Sequence, residues 1–202
     1  MDISGKDIQS IYEEKDTKKW IKRIPLDRAI PFEEYHRKEH FIPVAEIVLD
    51  TEISKTGKKQ RNTMIQFIPT SKLFKKDTEW LYLLLINGRI VKLGGTRNGL
   101  KKRAGSYLCG HHVKERGKSG DCSKTNGFIY NTLVFYLELG CKVEMVGYEL
   151  PKTIIKIEIF GKETLISAQT YHAYESTFLD DYKKHYKEYP FLCDNCDPSY
   201  KS

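Results

Sequence analysis

Residues 80–95 read WLYLLLINGRIVKLGG, from Trp80 to Gly95: two apolar runs either side of Asn87-Gly88. An Asn-Gly pair between such runs is the strongest short-range hairpin signal, because both residues tolerate the positive φ of a tight turn. Side chains on a strand alternate with a period of two, and residues facing each other across a hairpin share a face. A plain two-residue loop would pair Ile86 with Arg89 and send Tyr82 and Lys92 to opposite faces. A three-residue loop with Gly88 left-handed, or an equivalent bulge, would bring them to one face, the loop setting Tyr82 directly across from Lys92. The odd-length loop or the bulge is the expected form.

Working outward from the hairpin, Gly94-Gly95-Thr96 leads into NGLKKRAGSY, where Leu100, Arg103, Ala104 and Tyr107 follow helical spacing and share one face. Arg103 is therefore expected to point inward, with Lys101 and Lys102 in solvent. The last long element is predicted as a helix within residues 163–189. With Tyr171 at zero, 100° per residue puts Tyr182 at about 20°, Ala168 and Tyr186 at about 60°, Leu179 at about 80° and Phe178 at about 340°. Glu175 falls at about 40°, inside this apolar stripe, while Asp180, Lys183, Lys184 and Lys187 lie opposite. An ionised carboxylate facing a core is costly unless compensated. Glu175 thus needs a partner, either an ion pair with Arg103 or a metal ion in a cleft.

The remaining elements are read more coarsely. KDIQSIYEEKDTKKWIKRI can form a charged amphipathic helix broken by Pro25 and Pro31, and PVAEIVLD and NTMIQFIP flank KTGKK like hairpin strands. TNGFIYNTLVFYLELG suggests a largely buried helix ending at Gly140, followed by CKVEMVGYEL and TIIKIEIF as strands separated by Pro151. The fold class is α+β. Residues 1–75 read as an accessory region, and residues 76–202 as the chemistry-bearing domain.

The chain has 202 residues, 40% of them apolar, enough for one core with or without an appended lobe. No 18-residue apolar run could span a bilayer. The start MDISGKDIQS lacks the plan of a secretory signal, so a cytoplasmic location with reduced cysteines is expected. The formal net charge is +7. Residues 88–126 hold ten Lys and Arg against Glu115 and Asp121, a local +8. Such a run fits a solvated surface or a nucleic-acid footprint equally well. Arg97, Lys101, Lys102, His111, His112, Lys114, Arg116, Lys118 and Lys124 are the candidate DNA-contacting residues within or beside it.

Taken together, Tyr82, then KLGGT, then Arg103, Tyr107 and a helical Glu175 resemble the GIY-YIG nuclease superfamily. Trp80-Leu81-Tyr82 stands in place of GIY and Lys92-Leu93-Gly94 in place of YIG, so the central glycine is kept and the second tyrosine is not. SYLCG, followed by GKSGDCSKTNGFIYNTL, is similar to the small Type II restriction endonuclease branch, which carries lysine at this position. The likeness covers roughly residues 78–196.

The resemblance implies a GIY-YIG core of antiparallel hairpin, helix, further strands and long C-terminal helix. It implies sequence-specific hydrolysis of double-stranded DNA by a homodimer, with one Mg²⁺ per site held by Glu175 and replaceable by Mn²⁺. Arg103 would grip the scissile phosphate, Tyr107 would orient water or phosphate, and Tyr82 or Lys92 would position or deprotonate the water. Asn195 is the one asparagine beyond the helix that could support such a site.

Other classes compete. Cys193-x-x-Cys196 with Cys109, His111, His112 and Cys122 has the residue types of a zinc site, although one C-x-x-C without a second half is a weak signal. Cys109 and Cys122 fall within packing motifs, which favours buried thiols over zinc. A noncatalytic basic nucleic-acid-binding module, with or without zinc, is the alternative function. An HNH nuclease using His111 or His112 ranks below it, because it leaves Glu175 unexplained.

Overall fold

The computed structural model describes residues 21–52, 56–57, 63–108 and 124–193. Its elements are strands β1 (Ile42–Leu49), β2 (Ile65–Pro69), β3 (Trp80–Ile86), β4 (Arg89–Thr96), β5 (Val143–Glu149), β6 (Thr153–Ile159) and β7 (Lys162–Ala168), with helices α1 (Leu100–Leu108), α2 (Lys124–Glu138) and α3 (Tyr171–Tyr186). Three short 3-10 turns lie at Phe32–Glu34, Lys38–His40 and Lys72–Lys75. The chain is α+β. A five-stranded antiparallel sheet has the order β2-β1-β5-β3-β4, and β6 and β7 pair only with each other.

Strand β3 explains why this sheet forms. All seven of its residues are apolar or aromatic and all are buried, as a strand covered on both faces requires. Trp80, Tyr82, Leu84 and Ile86 face one core with Leu100, Ala104 and Tyr107 of α1 and Ile129, Tyr130 and Leu133 of α2. Leu81, Leu83 and Leu85 face a second core with Leu179 and Tyr182 of α3. Leu84 is fully buried, so Leu84→Ala should lower unfolding free energy by about 2–5 kcal/mol in a urea titration.

The hairpin takes the bulged form. Asn87 and Gly88 both have positive φ, 48° and 72°, and form a two-residue turn pairing Ile86 with Arg89. The expected three-residue loop is absent. The register instead shifts between Leu84 and Leu85, so that Leu84 pairs with Lys92 and Tyr82 with Gly94. Tyr82 and Lys92 therefore share a face, diagonally rather than directly opposed. At the bulge, the Val91 carbonyl accepts from Leu192 N at 2.7 Å. The chain around Leu192 and a second stretch at Ile30–Phe32 both hydrogen-bond to the hairpin's outer side, covering an edge strand that would otherwise invite pairing.

Two further differences concern boundaries. The predicted last helix begins at Tyr171, and residues 162–168 form β7, with Ala168 paired to Thr153. Ala168 is thus outside the helical stripe: pairing of the β-branched run with β6 across the Phe160-Gly161 turn, both at positive φ, overrides its helical spacing. The strands expected in the accessory region, β1 and β2, continue the main sheet, with β1 paired to β5. Residues 6–20 of the predicted first helix lie outside the described residues. The predicted helix ending at Gly140 is α2, which closes on a left-handed Gly140 at φ 79°. The β6–β7 ribbon exposes Ile154, Ile155, Ile159, Phe160 and Leu165. No helix among the described residues is long and apolar enough to cross a membrane.

Candidate active site

Strand β3 and helix α1 bring three of the predicted residues into direct contact. The Tyr82 hydroxyl lies 2.5 Å from that of Tyr107, and the Arg103 side chain donates from Nε to Tyr82 at 2.8 Å and from a terminal nitrogen to Tyr107 at 3.2 Å. The Arg103 guanidinium carbon also sits 4.6 Å from the centre of the Tyr107 ring. Arg103 points inward as its helical spacing predicts, one turn before Tyr107.

Gly94 makes this arrangement possible. Tyr82 crosses the hairpin over Gly94, and a Cβ there would lie within 2.6 Å of the Tyr82 Cζ. Any other residue would displace the phenol. Lys92, on the same face, is buried and donates from Nζ to the Leu192 carbonyl at 3.0 Å.

Glu175 approaches the hairpin from the other face. A Cβ at Gly95 would lie 2.9 Å from Glu175 Oε2 and 3.0 Å from the Tyr171 ring. Adjacent strand residues face opposite sides, so Tyr82 and Glu175 reach neighbouring glycines of β4 from the two faces of the sheet. The ion pair with Arg103 is not formed: the described polar contacts of Arg103 go to the two tyrosines. Among the described residues the half-buried Glu175 carboxylate has no hydrogen-bond or ion-pair partner.

The electrostatics follow from burial. Burial pushes the Tyr82 phenol well above the ordinary tyrosine value, Tyr107 adds to the rise, and Arg103 and Lys92 oppose it. Tyr107 is raised chiefly by burial and held back by Arg103. Burial works against the Arg103 charge, but Tyr82 and Tyr107 outweigh it and push the guanidinium above its usual value. Unfolded tyrosines lose their protons near pH 10, whereas these buried ones keep them. The native state then binds more protons than the unfolded state, and stability must fall as pH rises above about 10. Unfolding free energies measured from pH 9 to 11 should show this loss. Tyr82→Phe should make the alkaline slope shallower by about 1.4 kcal/mol per pH unit.

The other predicted residues divide. Arg97 and Lys101 are exposed, and Lys102 is exposed and pairs with Asp77 at 2.8 Å. Lys124 opens α2. His111, His112, Lys114, Arg116 and Lys118 lie outside the described residues, as do Cys109, Cys122, Asn195 and Cys196. Cys193 is buried, accepting from Leu93 N at 3.4 Å and donating to the Leu93 carbonyl at 3.2 Å, so it packs as a thiol against β4.

Sequence reasoning missed the support for these groups. Leu192, which holds Lys92, carries no sequence signal. Gly95 was legible only as part of a turn.

A divalent cation is a chemical fit to Glu175. The carboxylate is a hard oxygen donor without a protein partner among the described residues, and Mg²⁺ is commonly held by one or two carboxylates, with water and phosphate completing its shell. Among the described residues no group of three or more His, Cys, Asp or Glu forms a closed metal cage.

No protein-family model and no curated protein sequence matches the chain. Among solved structures, it is similar to restriction endonuclease HPY188I in complex with product DNA, at 26% identity and a TM-score of 0.53, over 83% of this chain and 88% of that one. It is also similar to a mutant of bacteriophage T4 EndoII, at 21% identity and a TM-score of 0.46, over 71% of this chain and 88% of that one. Covering most of both chains, the first of these likenesses gives the α+β architecture and its two-faced edge hairpin the fold of a restriction endonuclease.

Proposed function

We propose that this protein is a sequence-specific Type II restriction endonuclease of the GIY-YIG superfamily, hydrolysing phosphodiester bonds of double-stranded DNA with one Mg²⁺ per active site. The observation that carries the reading is the pair of glycines on β4: Tyr82, with Arg103 and Tyr107, closes on Gly94, and Glu175, which has no partner among the described residues, closes on Gly95. A structural role alone gives no reason for a half-buried carboxylate to stand without a partner among the described residues, one residue along β4 from the glycine that Tyr82 covers. The likeness to a restriction endonuclease bound to product DNA supports the same class of substrate.

Each side chain has a task suited to its chemistry. Arg103 is charged, and its planar donor fork binds the scissile phosphate. Tyr82 or Lys92 positions the attacking water or takes its proton; Tyr82 can take it only after releasing its own, which Arg103 and Lys92 favour and burial opposes. Tyr107 orients the Tyr82 hydroxyl through their short hydrogen bond. Glu175 holds the cation. When bound, Mg²⁺ neutralises charge on the phosphate and assists the departing 3′ oxygen, with Mn²⁺ able to take its place.

The exposed Arg97, Lys101 and Lys102, with the basic run up to Lys124, supply phosphate contacts whose binding weakens with salt. Residues 1–75 contribute to recognition or dimerisation. A twofold-symmetric target cut on both strands is most simply served by a homodimer. The test is incubation of the purified protein with unmethylated phage DNA and Mg²⁺. Discrete fragments with a common sequence at their ends are expected, whereas DNA that is bound but intact with every metal identifies a noncatalytic binding module.

A further inference from the structure

Helix α3 carries Glu175, and its start is fixed by a residue from a distant stretch of chain. Thr170 is the N-cap of α3, but its own side chain makes no capping hydrogen bond. Its hydroxyl donates instead to Glu79 Oε2 at 3.0 Å, and its backbone N–H donates to the same oxygen at 2.9 Å. A Glu79 carboxylate thus caps the helix from outside, satisfying a terminal N–H and placing negative charge where the helix dipole favours it.

Glu79 is itself tied down. It immediately precedes β3, and its carbonyl accepts from Leu150 N at 2.9 Å, so its backbone is joined to the end of β5. Its second carboxylate oxygen, Oε1, is buried with no hydrogen-bond partner among the described residues. Burying an unsatisfied oxygen is unfavourable, so the arrangement needs a reason beyond solubility or surface charge.

The position of the clamp supplies that reason. Glu175 lies five residues beyond Thr170, about 7.5 Å along the helix axis. The β6–β7 ribbon that precedes α3 pairs only with itself and cannot fix the helix against the main sheet. The Glu79–Thr170 pair joins the start of α3 to the strand beside β4, where Gly95 meets Tyr171 and Glu175. Displacing a reacting group by about 1 Å can cost a hundredfold in rate, so a fixed helix start has functional weight.

We infer that Glu79 is a positioning residue: by clamping Thr170 it sets the placement of Glu175 and hence the affinity of the site for a divalent cation. The inference rests on the reading of Glu175 as metal ligand. Loss of such a supporting contact typically weakens metal binding ten- to a hundredfold.

The test is titration of the full-length protein with Tb³⁺, whose luminescence is sensitised by nearby tyrosine, alongside DNA affinity measured without metal. Glu79→Ala should raise the half-saturating Tb³⁺ concentration about tenfold and change DNA affinity less than twofold. Glu79→Gln keeps an acceptor oxygen for both Thr170 donors and should stay within about threefold of the native protein. Unchanged Tb³⁺ affinity in Glu79→Ala, or equal impairment in both variants, overturns the inference. If Glu79→Ala does not fold, Thr170→Val, which loses only the hydroxyl bond, should raise the half-saturating concentration about threefold, and no change there overturns it equally. Glu175→Ala separates the two levels. If it keeps the saturable signal, the reading of Glu175 as ligand is wrong; if it loses the signal while Glu79→Ala does not move it, only the role of Glu79 fails.

Discussion

Replacing Glu175 with Gln lowers the Mg²⁺-dependent cleavage rate by about a thousandfold or more and leaves affinity for duplex DNA within about threefold of the native protein. Removing a residue from an ion pair or a hydrogen-bonded core network damages folding as well as function, because its partner is left unpaired. Glu175 has no such partner among the described residues, and it is half-buried rather than sealed in the core. The amide matches the carboxylate in size, so its packing against Gly95 and Tyr171 survives. What disappears is the anionic oxygen that holds a cation. Thermal unfolding of the variant should therefore be close to that of the native protein. A large drop in stability with proportionate loss of activity would mean that Glu175 serves the fold.

Gly94→Ala should be nearly as damaging for a different reason. The added methyl group occupies the space of the Tyr82 phenol, so the ring must swing away or the two strands must separate. Either movement breaks the hydrogen bonds from Tyr82 to Tyr107 and Arg103. Overpacking of this kind costs about 1–3 kcal/mol of stability. Loss of the positioned hydroxyl should cost about a hundredfold or more in cleavage rate. The two effects can be separated at a temperature where the variant remains folded, checked by circular dichroism. Gly95→Ala offers a contrast, since it displaces the flexible end of Glu175 and leaves Tyr82 in place. It should raise the Mg²⁺ requirement more than it lowers the rate at saturating Mg²⁺.

These predictions depend on features of unequal visibility in the sequence. The hairpin was legible because Asn87-Gly88 dictates a tight turn locally. Its bulge was legible only as one of two alternatives, since the segment that hydrogen-bonds there, at Leu192, lies about a hundred residues away. Arg103 and Tyr107 were legible from helical spacing, because one face of a short helix must meet the sheet.

Glu175 stood out as a charge among apolar neighbours, but periodicity gives a direction about one helix axis and not the face of the sheet it will meet. That it reaches β4 from the side opposite Tyr82 depends on the path of β6 and β7. The helix falls within the expected 163–189, but Ala168 does not belong to its stripe: residues 163–168 contain no helix breaker and pair with β6 as a strand. Glu79 carried no signal, because an exposed acid and a remote helix cap look identical in sequence.

Each of these expectations requires one reaction centre assembled around an edge strand from both its faces, an arrangement open to direct inspection. It is tested most directly by the crystal structure of the Tyr82→Phe variant bound to duplex DNA and Mn²⁺, with the metal located by anomalous scattering. A single Mn²⁺ is expected on the Glu175 carboxylate, with a backbone phosphate reaching both the metal and the Arg103 guanidinium. A metal bound away from Glu175, or DNA lying on a surface remote from Arg103, would contradict it.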